Sequence, residues 1–160
     1  MDTFLAIASR REVRDYTDAS IPDEIVHRIL DAGRLAGSSR NSQQWEFVIV
    51  RDREAIAQTV YAPGNVLGAT LIVALAGSAF PFDKGRAAQN MMLAAWSDGV
   101  GSCPNGVSDA EAAERIVGAP VGIVLTFGYP ARPRDPHART AEDWSARAKR
   151  KPFDEVVREV

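Results

Sequence analysis

The sequence predicts a single domain of mixed helices and strands, α/β or α+β in class. Three observations predict it. Apolar residues at helical spacing, such as Ile25, Ile29, Ala32 and Ala36, interleave along the chain with short runs of β-formers such as Trp45–Val50. Thr70–Leu75 is an apolar run of strand length, expected of a strand covered on both faces. Ala87–Trp96 is apolar almost all round, as in a helix buried within the domain or in a dimer core. The chain has 160 residues, 46% of them hydrophobic. A domain of this length buries roughly 70% of its unfolded surface, so a core forms without staples.

Taken in order, Thr3–Ser9 reads as a short helix that Asp2 or Thr3 can cap. Arg10–Tyr16 is polar and irregular. The second helix is expected near Pro22, because proline suits the first turn and Asp23 and Glu24 suit its positive end; Gly37 stops it. Gly37–Gln44 reads as a polar turn, Trp45–Val50 as a strand, Asp52–Val60 as a helix, and Tyr61–Gly68 as a connection. After the strand at Thr70–Leu75, Asp83 can cap a helix running to about Asp98, which Gly99 and Gly101 end. Gly101–Gly106 then reads as a turn. Ser108 with Glu111 has capping-box spacing for another short helix, and Val121–Tyr129 is a third strand. Ala131–Lys151 is rich in Pro and Arg with little hydrophobic pattern, and Phe153–Val160 reads as a strand or docking arm.

Composition excludes several functions. Lys plus Arg number 19 against 21 Asp plus Glu, a net charge of −2, which gives no global footprint for nucleic acid. The single cysteine, Cys103, excludes an intrachain disulfide and a cysteine-based zinc site from one chain. The N-terminus lacks the basic region of a signal peptide, and no apolar stretch is long enough to span a bilayer, so a cytoplasmic location without a membrane partner is expected. Neither HExxH, a P-loop nor GxSxG occurs, and the only histidines are His27 and His137, so metal and triad chemistry are poorly supported. Gly99-Val100-Gly101 follows a helix and lacks a third glycine, so it is not a dinucleotide loop.

Arginine stands out in two separate irregular segments. Arg10, Arg11 and Arg14 flank one turn; Arg132, Arg134, Arg139, Arg147, Lys149, Arg150 and Lys151 lie near the C-terminus. Guanidinium groups so spaced can clamp a phosphate, while a charge run is ordinarily a solvated face; composition leaves both readings open. Ser38-Ser39-Arg40-Asn41-Ser42-Gln43-Gln44 offers hydroxyls and amides for a polar ligand, or is a turn for purely local reasons. Within Gly101–Gly106, glycine allows a flat ligand close to the backbone, while Cys103 and the Met91-Met92 pair read most simply as core.

Together these pieces resemble the FMN-dependent nitroreductase family over nearly the whole chain. Ser9-Arg10-Arg11-Glu12-Val13-Arg14-Asp15-Tyr16 is similar to S-R-R-S-V-R-x-F/Y. Ile29–Ala36 followed by Gly37–Phe47 is similar to I-L-x-A-A-R-x-A-P-S-x-x-N-x-Q-P-W-x-F, the most specific match. Ala88–Ala95 with Gly99–Ser102 resembles the long dimer-core helix and its exit. Gly128-Tyr129-Pro130 and Arg150–Val157 resemble the closing G-Y-P and R-x-P-L-x-x-V-V segments. Glu12 stands where serine is usual, Gly37 and Gln44 replace two prolines, and Pro104 removes a backbone donor. Longer members carry further helices between the second and third strands read here, which only Tyr61–Gly68 and Gly77–Phe82 could replace; a more open site follows.

The resemblance implies an α+β nitroreductase-like fold: a central, mostly antiparallel sheet flanked by helices, dimeric with a long buried helix. It implies one FMN-binding domain over residues 1–160, in an obligate homodimer with two FMN sites at its interface. The C-terminal arm, about residues 131–160, packs on the partner. Arg10 and Arg150, with Lys149, are the expected phosphate ligands, and Arg11 and Glu12 belong to the same motif. Arg14 is expected at the pyrimidine edge, where a cation stabilises the anionic reduced ring. Ser38, Ser39, Asn41 and Gln43 come from the other subunit. Asn105 and Gly106 offer backbone N–H groups near N5 and O4, and Asn65 is a further expected flavin contact.

The activity so implied is hydride transfer from NADH or NADPH to flavin N5, then reduction of a small electron acceptor such as a nitroaromatic, a quinone or a related electron-poor ring. The cofactor does the chemistry, in keeping with the absence of a recognisable acid–base pair. The alternatives are a flavin-binding protein without NAD(P)H turnover, or a specialised reductase or dehydrogenase on the same scaffold, such as a dehalogenase, a dehydrogenating tailoring enzyme or one using a deazaflavin donor.

Overall fold

The computed structural model describes residues 1–160, in two compact units: residues 11–133, and residues 1–10 together with 134–160. The larger unit is built on a four-stranded sheet of β1 (Glu46–Ile49), β2 (Leu71–Ala76), β3 (Gly101–Asn105) and β4 (Val121–Gly128), in the order β1-β2-β4-β3. Every pairing is antiparallel, with Val73 opposite both Ile49 and Leu125, so the class is α+β. All six residues of β2 are buried. Their alternation divides them between two cores. Leu71, Val73 and Leu75 face a cluster containing Ile29, Ala87 and Met91, while Ile72 and Ala74 face one containing Ile56, Val66 and Ala113. Coverage on both faces explains the unbroken apolar run.

The helices of this unit are α2 (Asp23–Arg34), α3 (Arg53–Ala57), α4 (Pro63–Leu67), α5 (Pro81–Ser97) and α6 (Ala110–Val117). The strong amphipathic pattern of α2 lays Ile29 and Gly33 against α5. Gly33 is required there, because a Cβ would stand 2.8 Å from Met91 Sδ. The longest helix, α5, buries Ala87, Ala88, Met91, Met92, Ala95 and Trp96 but exposes Gln89 and Asn90, so it is not apolar all round.

Several expectations need correction. Gly101–Asn105 is a strand, not a turn. Its glycine, serine, proline and asparagine carry turn chemistry, yet β3 is an edge strand that pairs only with β4, and Pro104 there loses no obligatory ladder bond. It makes Val121–Gly128 the fourth strand. Asp83 does not cap α5: the helix begins two residues earlier at Pro81, where proline is preorganised for N1, and Asp83 lies in its first turn. Asp109, not Ser108, caps α6 by accepting from Ala112 N at 2.9 Å: the helix starts at Ala110, so Asp109 holds the N-cap position, and Thr59 O anchors both Ser108 N and Asp109 N just before it. Tyr61–Gly68 contains α4, started by Pro63.

The smaller unit holds α1 (Thr3–Ser9), α7 (Ala141–Ala146) and α8 (Phe153–Val156), with α1 packed on α7. Asp2 caps α1 and Thr140 caps α7. Trp144 is the buried anchor: its indole N–H donates to Pro136 O at 2.8 Å, and the Arg139 guanidinium lies 5.0 Å from its ring centroid. Phe153–Val156 is one exposed helical turn rather than a strand. No helix is long and apolar enough to cross a membrane.

Candidate functional site

In the larger unit, the segment following Arg11 has no regular structure but is tightly held. Val13 N donates to Ser102 O at 3.0 Å, Thr17 N to Tyr129 O at 2.8 Å, and Ala131 N to Asp15 O at 3.0 Å. Two glycines admit it. A Cβ on Gly101 would stand 2.7 Å from the Val13 side chain, and one on Gly128 would stand 2.8 Å from the Tyr16 ring. The segment is thus pinned along β3 and β4 with the Arg14 side chain exposed on it.

Beneath it runs a buried polar chain. Tyr16 hydroxyl donates to Val13 O at 2.5 Å and meets Thr126 Oγ1 at 3.1 Å. Thr126, fully buried in an otherwise apolar strand, donates to Cys103 O at 3.1 Å. Asn105 Nδ2 donates to Cys103 O, Val124 O and Thr126 Oγ1 at 3.1, 3.2 and 3.3 Å. Asn105 Oδ1 accepts from Asn65 Nδ2 at 3.0 Å. The side chain of Asn105 is therefore spent within the fold, which fixes the backbone that leads into Gly106.

Burial, first of all, pushes the Tyr16 hydroxyl above the usual phenol range; the charge of Glu12 adds to this, and Thr126 and Arg14 oppose it. A folded-state value raised above the unfolded one near 10 means that the stabilisation is complete below about pH 10 and is lost as pH rises beyond it. Tyr16→Phe is expected to cost about 1–2 kcal/mol at neutral pH and to flatten the alkaline fall. Urea titrations of both proteins from pH 7 to 11 check this; parallel alkaline slopes would contradict it.

Ser38, Ser39, Asn41 and Gln43 come together on one exposed loop between α2 and β1. It is internally bonded, with Gln43 N donating to Ser38 Oγ at 3.0 Å and Gln43 Nε2 to Asn41 O at 3.2 Å. Gly106 follows the end of β3, exposed, and its carbonyl accepts from Tyr61 N at 3.1 Å. A Cβ on Gly106 would lie 3.3 Å from the Tyr61 ring, which is itself 79% exposed.

The smaller unit carries the other expected cations. Arg10 is the C-cap residue of α1 and is half-buried. Lys149 and Arg150 follow α7, exposed; Lys149 has φ +52°, and Arg150 Nη1 donates to Ala148 O at 3.2 Å. Sequence reasoning missed the bond between Tyr16 and Thr126 and the turn of the Asp83 carboxylate to Ser39 N, 3.1 Å away. The one signal for Thr126 was a polar residue inside an apolar strand run. No group of three or more His, Cys, Asp or Glu is placed to hold a metal ion.

Comparison with known proteins adds to this geometry. A family model described as the nitroreductase family matches residues 7–84 and 76–129. A protein of Archaeoglobus fulgidus, named provisionally as an NADH dehydrogenase/NAD(P)H nitroreductase, is 35% identical over 149 residues, 81% of this chain and 86% of its own. One of the same name from Methanothermobacter thermautotrophicus is 31% identical over 150 residues, 82% of this chain and 78% of its own. Among solved structures, a provisionally named nitroreductase from Desulfovibrio desulfuricans in complex with FMN superposes with TM-score 0.83 at 26% identity, covering 100% of this chain and 98% of its own.

Proposed function

The chain belongs to the nitroreductase family, and from that premise we propose that it is an FMN oxidoreductase that draws hydride from NADH or NADPH and reduces electron-poor ring acceptors. The named relatives support the enzyme class and the cofactor. The observation that carries the reading is the pinned segment: Arg14 is exposed on a stretch fastened to β3, and β3 itself leads into the exposed backbone of Gly106.

The residues fit the cofactor by their chemistry. A phosphate dianion calls for cations, and Arg10, Lys149 and Arg150 supply them; we assign these three to it, with Arg11 and Glu12 beside them in the motif. Arg14 is the cation for the pyrimidine edge. Ser38, Ser39, Asn41 and Gln43 bring hydroxyl and amide groups from the partner subunit, and Asn105 and Gly106 bring backbone N–H groups to the reactive edge of the ring. Ser102 Oγ on β3 is buried without a hydrogen-bond partner, a polar group left over from the fold's own needs. The chemistry FMN supplies when bound is two-electron transfer, taken as hydride from NADH or NADPH and passed to the acceptor. The chain's task is to bind and orient.

The whole chain is then one FMN-binding domain of a homodimer. Exposed Leu35 and Phe82 line an open groove of about 540 Å³ between α2 and α5, together with Arg86, Gln89 and Asn90, a partly apolar surface suited to a second copy. Phe153, Val156, Val157 and Val160 are all exposed, which supports residues 131–160 as an arm on the partner. A nicotinamide donor of this kind supports a cytoplasmic location.

The Tyr61 ring over Gly106 favours planar acceptors, which stack on aromatic faces. Tyr61→Ala is expected to raise KM for a quinone or nitroaromatic by about three- to tenfold, with FMN affinity unchanged. An unchanged KM would remove this acceptor class. The reading as a whole is tested by anaerobic steady-state oxidation of NADH and NADPH with a quinone and a nitroaromatic. Turnover by the FMN-loaded dimer is the expected result. FMN binding without turnover on any such acceptor would leave a flavin-binding protein instead.

A further inference from the structure

We propose that Asp83 is a positioning residue for the cofactor: through the Ser39 amide it holds the 38–43 loop in the strained form that presents Ser38, Asn41 and Gln43. The proposal rests on the FMN reading above. It begins from the backbone. Arg40, Asn41 and Gln43 have φ of +55°, +55° and +50°, three left-handed residues within four, none of them glycine. L residues rarely adopt this conformation, and it persists only where the surroundings over-determine it. The loop is exposed, so its own packing does not supply that constraint.

The constraint comes from α5 and the turn before it. At the far end of the loop, Ala79 N donates to Gln44 O at 2.8 Å. This approach requires Gly77, which has φ +89° and where a Cβ would stand 2.6 Å from Gln44 O. At the near end, Gly37 lies against the Arg86 guanidinium, 2.5 Å from where its Cβ would be. Between these ends the one bond from outside is to Asp83, whose Oδ2 accepts from Ser39 N at 3.1 Å. Asp83 is only 3% exposed and joins no salt bridge. Burying a carboxylate is costly, and in return it makes one charge-assisted bond to one amide of a surface loop. Such a bond fixes the pitch of the first loop turn, from which the Ser38–Gln43 bond and the left-handed residues follow.

The test is FMN titration of the apo protein, read by flavin fluorescence. Asp83→Ala is expected to raise the FMN Kd at least tenfold. Asp83→Asn keeps an acceptor oxygen at the same place and is expected to stay within threefold of wild type. A Kd unchanged in Asp83→Ala, or raised as much in Asp83→Asn, would overturn the proposal. Amide exchange in the wild-type apo protein is the second readout and needs no variant. Ser39 N–H is expected to exchange at least tenfold below its intrinsic rate; unprotected exchange would overturn the proposal even if Asp83→Ala failed to fold. Absence of FMN binding by the wild-type protein refutes the cofactor reading and this proposal together. FMN binding with an indifferent Asp83→Ala refutes this proposal alone.

Discussion

Asn105→Ala is expected to destabilise the apo protein by about 3 kcal/mol, near the upper end for a single polar substitution. The residue is 3% exposed, and its amide makes three donor contacts and accepts one from Asn65. Removing it takes one partner each from Cys103 O, Val124 O, Thr126 Oγ1 and Asn65 Nδ2, although Cys103 O and Thr126 Oγ1 keep their bond to each other, at a cost of roughly 1 kcal/mol for each bond lost. Asn65→Ala removes one bond at a half-buried position, and about 1 kcal/mol is expected. Because the two residues share that bond, the double variant should lose less than the sum of the single ones. Urea unfolding at one fixed protein concentration checks all three, since dimer stability varies with concentration. Equal losses for Asn65→Ala and Asn105→Ala would contradict a central role for Asn105. In the proposed site the effect would reach FMN binding through Gly106, whose backbone follows directly on Asn105.

Arg10→Ala is expected to weaken FMN binding about thirtyfold, which corresponds to roughly 2 kcal/mol for the loss of a charge-assisted phosphate contact. Arg132→Ala is the control. It removes a cation from the arginine-rich C-terminal segment, outside the matched motifs, and a change within twofold is expected. The comparison separates a specific ligand from general charge, because both variants lower the net charge by the same amount. FMN titration of the two apo proteins at one ionic strength measures the difference. Equal affinities would overturn the assignment of Arg10.

How much of this was legible in the sequence differs from element to element. Ile25, Ile29 and Ala32 at helical spacing marked α2, and the unbroken run ending at Leu75 marked β2 as covered on both faces, because burial acts directly on side-chain type. β3 was hidden for the opposite reason. Gly101, Ser102, Pro104 and Asn105 prefer turns locally, and only the pairing with β4 and the closeness of Val13 to Gly101 make them a strand. Long-range contacts of that kind leave no periodic trace. The cap of α6 was misplaced by one residue: Ser108 and Asp109 are both cap formers, and where the helix starts is set by the anchoring of both their amides on Thr59 O, some fifty positions away.

The candidate site divides in the same way. Arginines and the polar loop stand out by composition, and the family motifs give them roles. The residues that hold them do not stand out. Tyr16 reads as a motif aromatic, yet its hydroxyl joins Val13 to Thr126. Asp83 reads as a helix cap, yet its carboxylate is turned to Ser39. Each acts through a partner distant in sequence, so its role is visible only once the chain is folded.

The most direct test of the proposed activity is the visible spectrum of the FMN-reconstituted protein under anaerobic conditions, first with NADPH and then with NADH. An oxidised flavin spectrum that bleaches on addition of either nucleotide is the expected result, and it identifies the donor. A spectrum unchanged by both, or a protein that retains no flavin after reconstitution, would contradict the reading of this chain as an NAD(P)H-dependent FMN oxidoreductase.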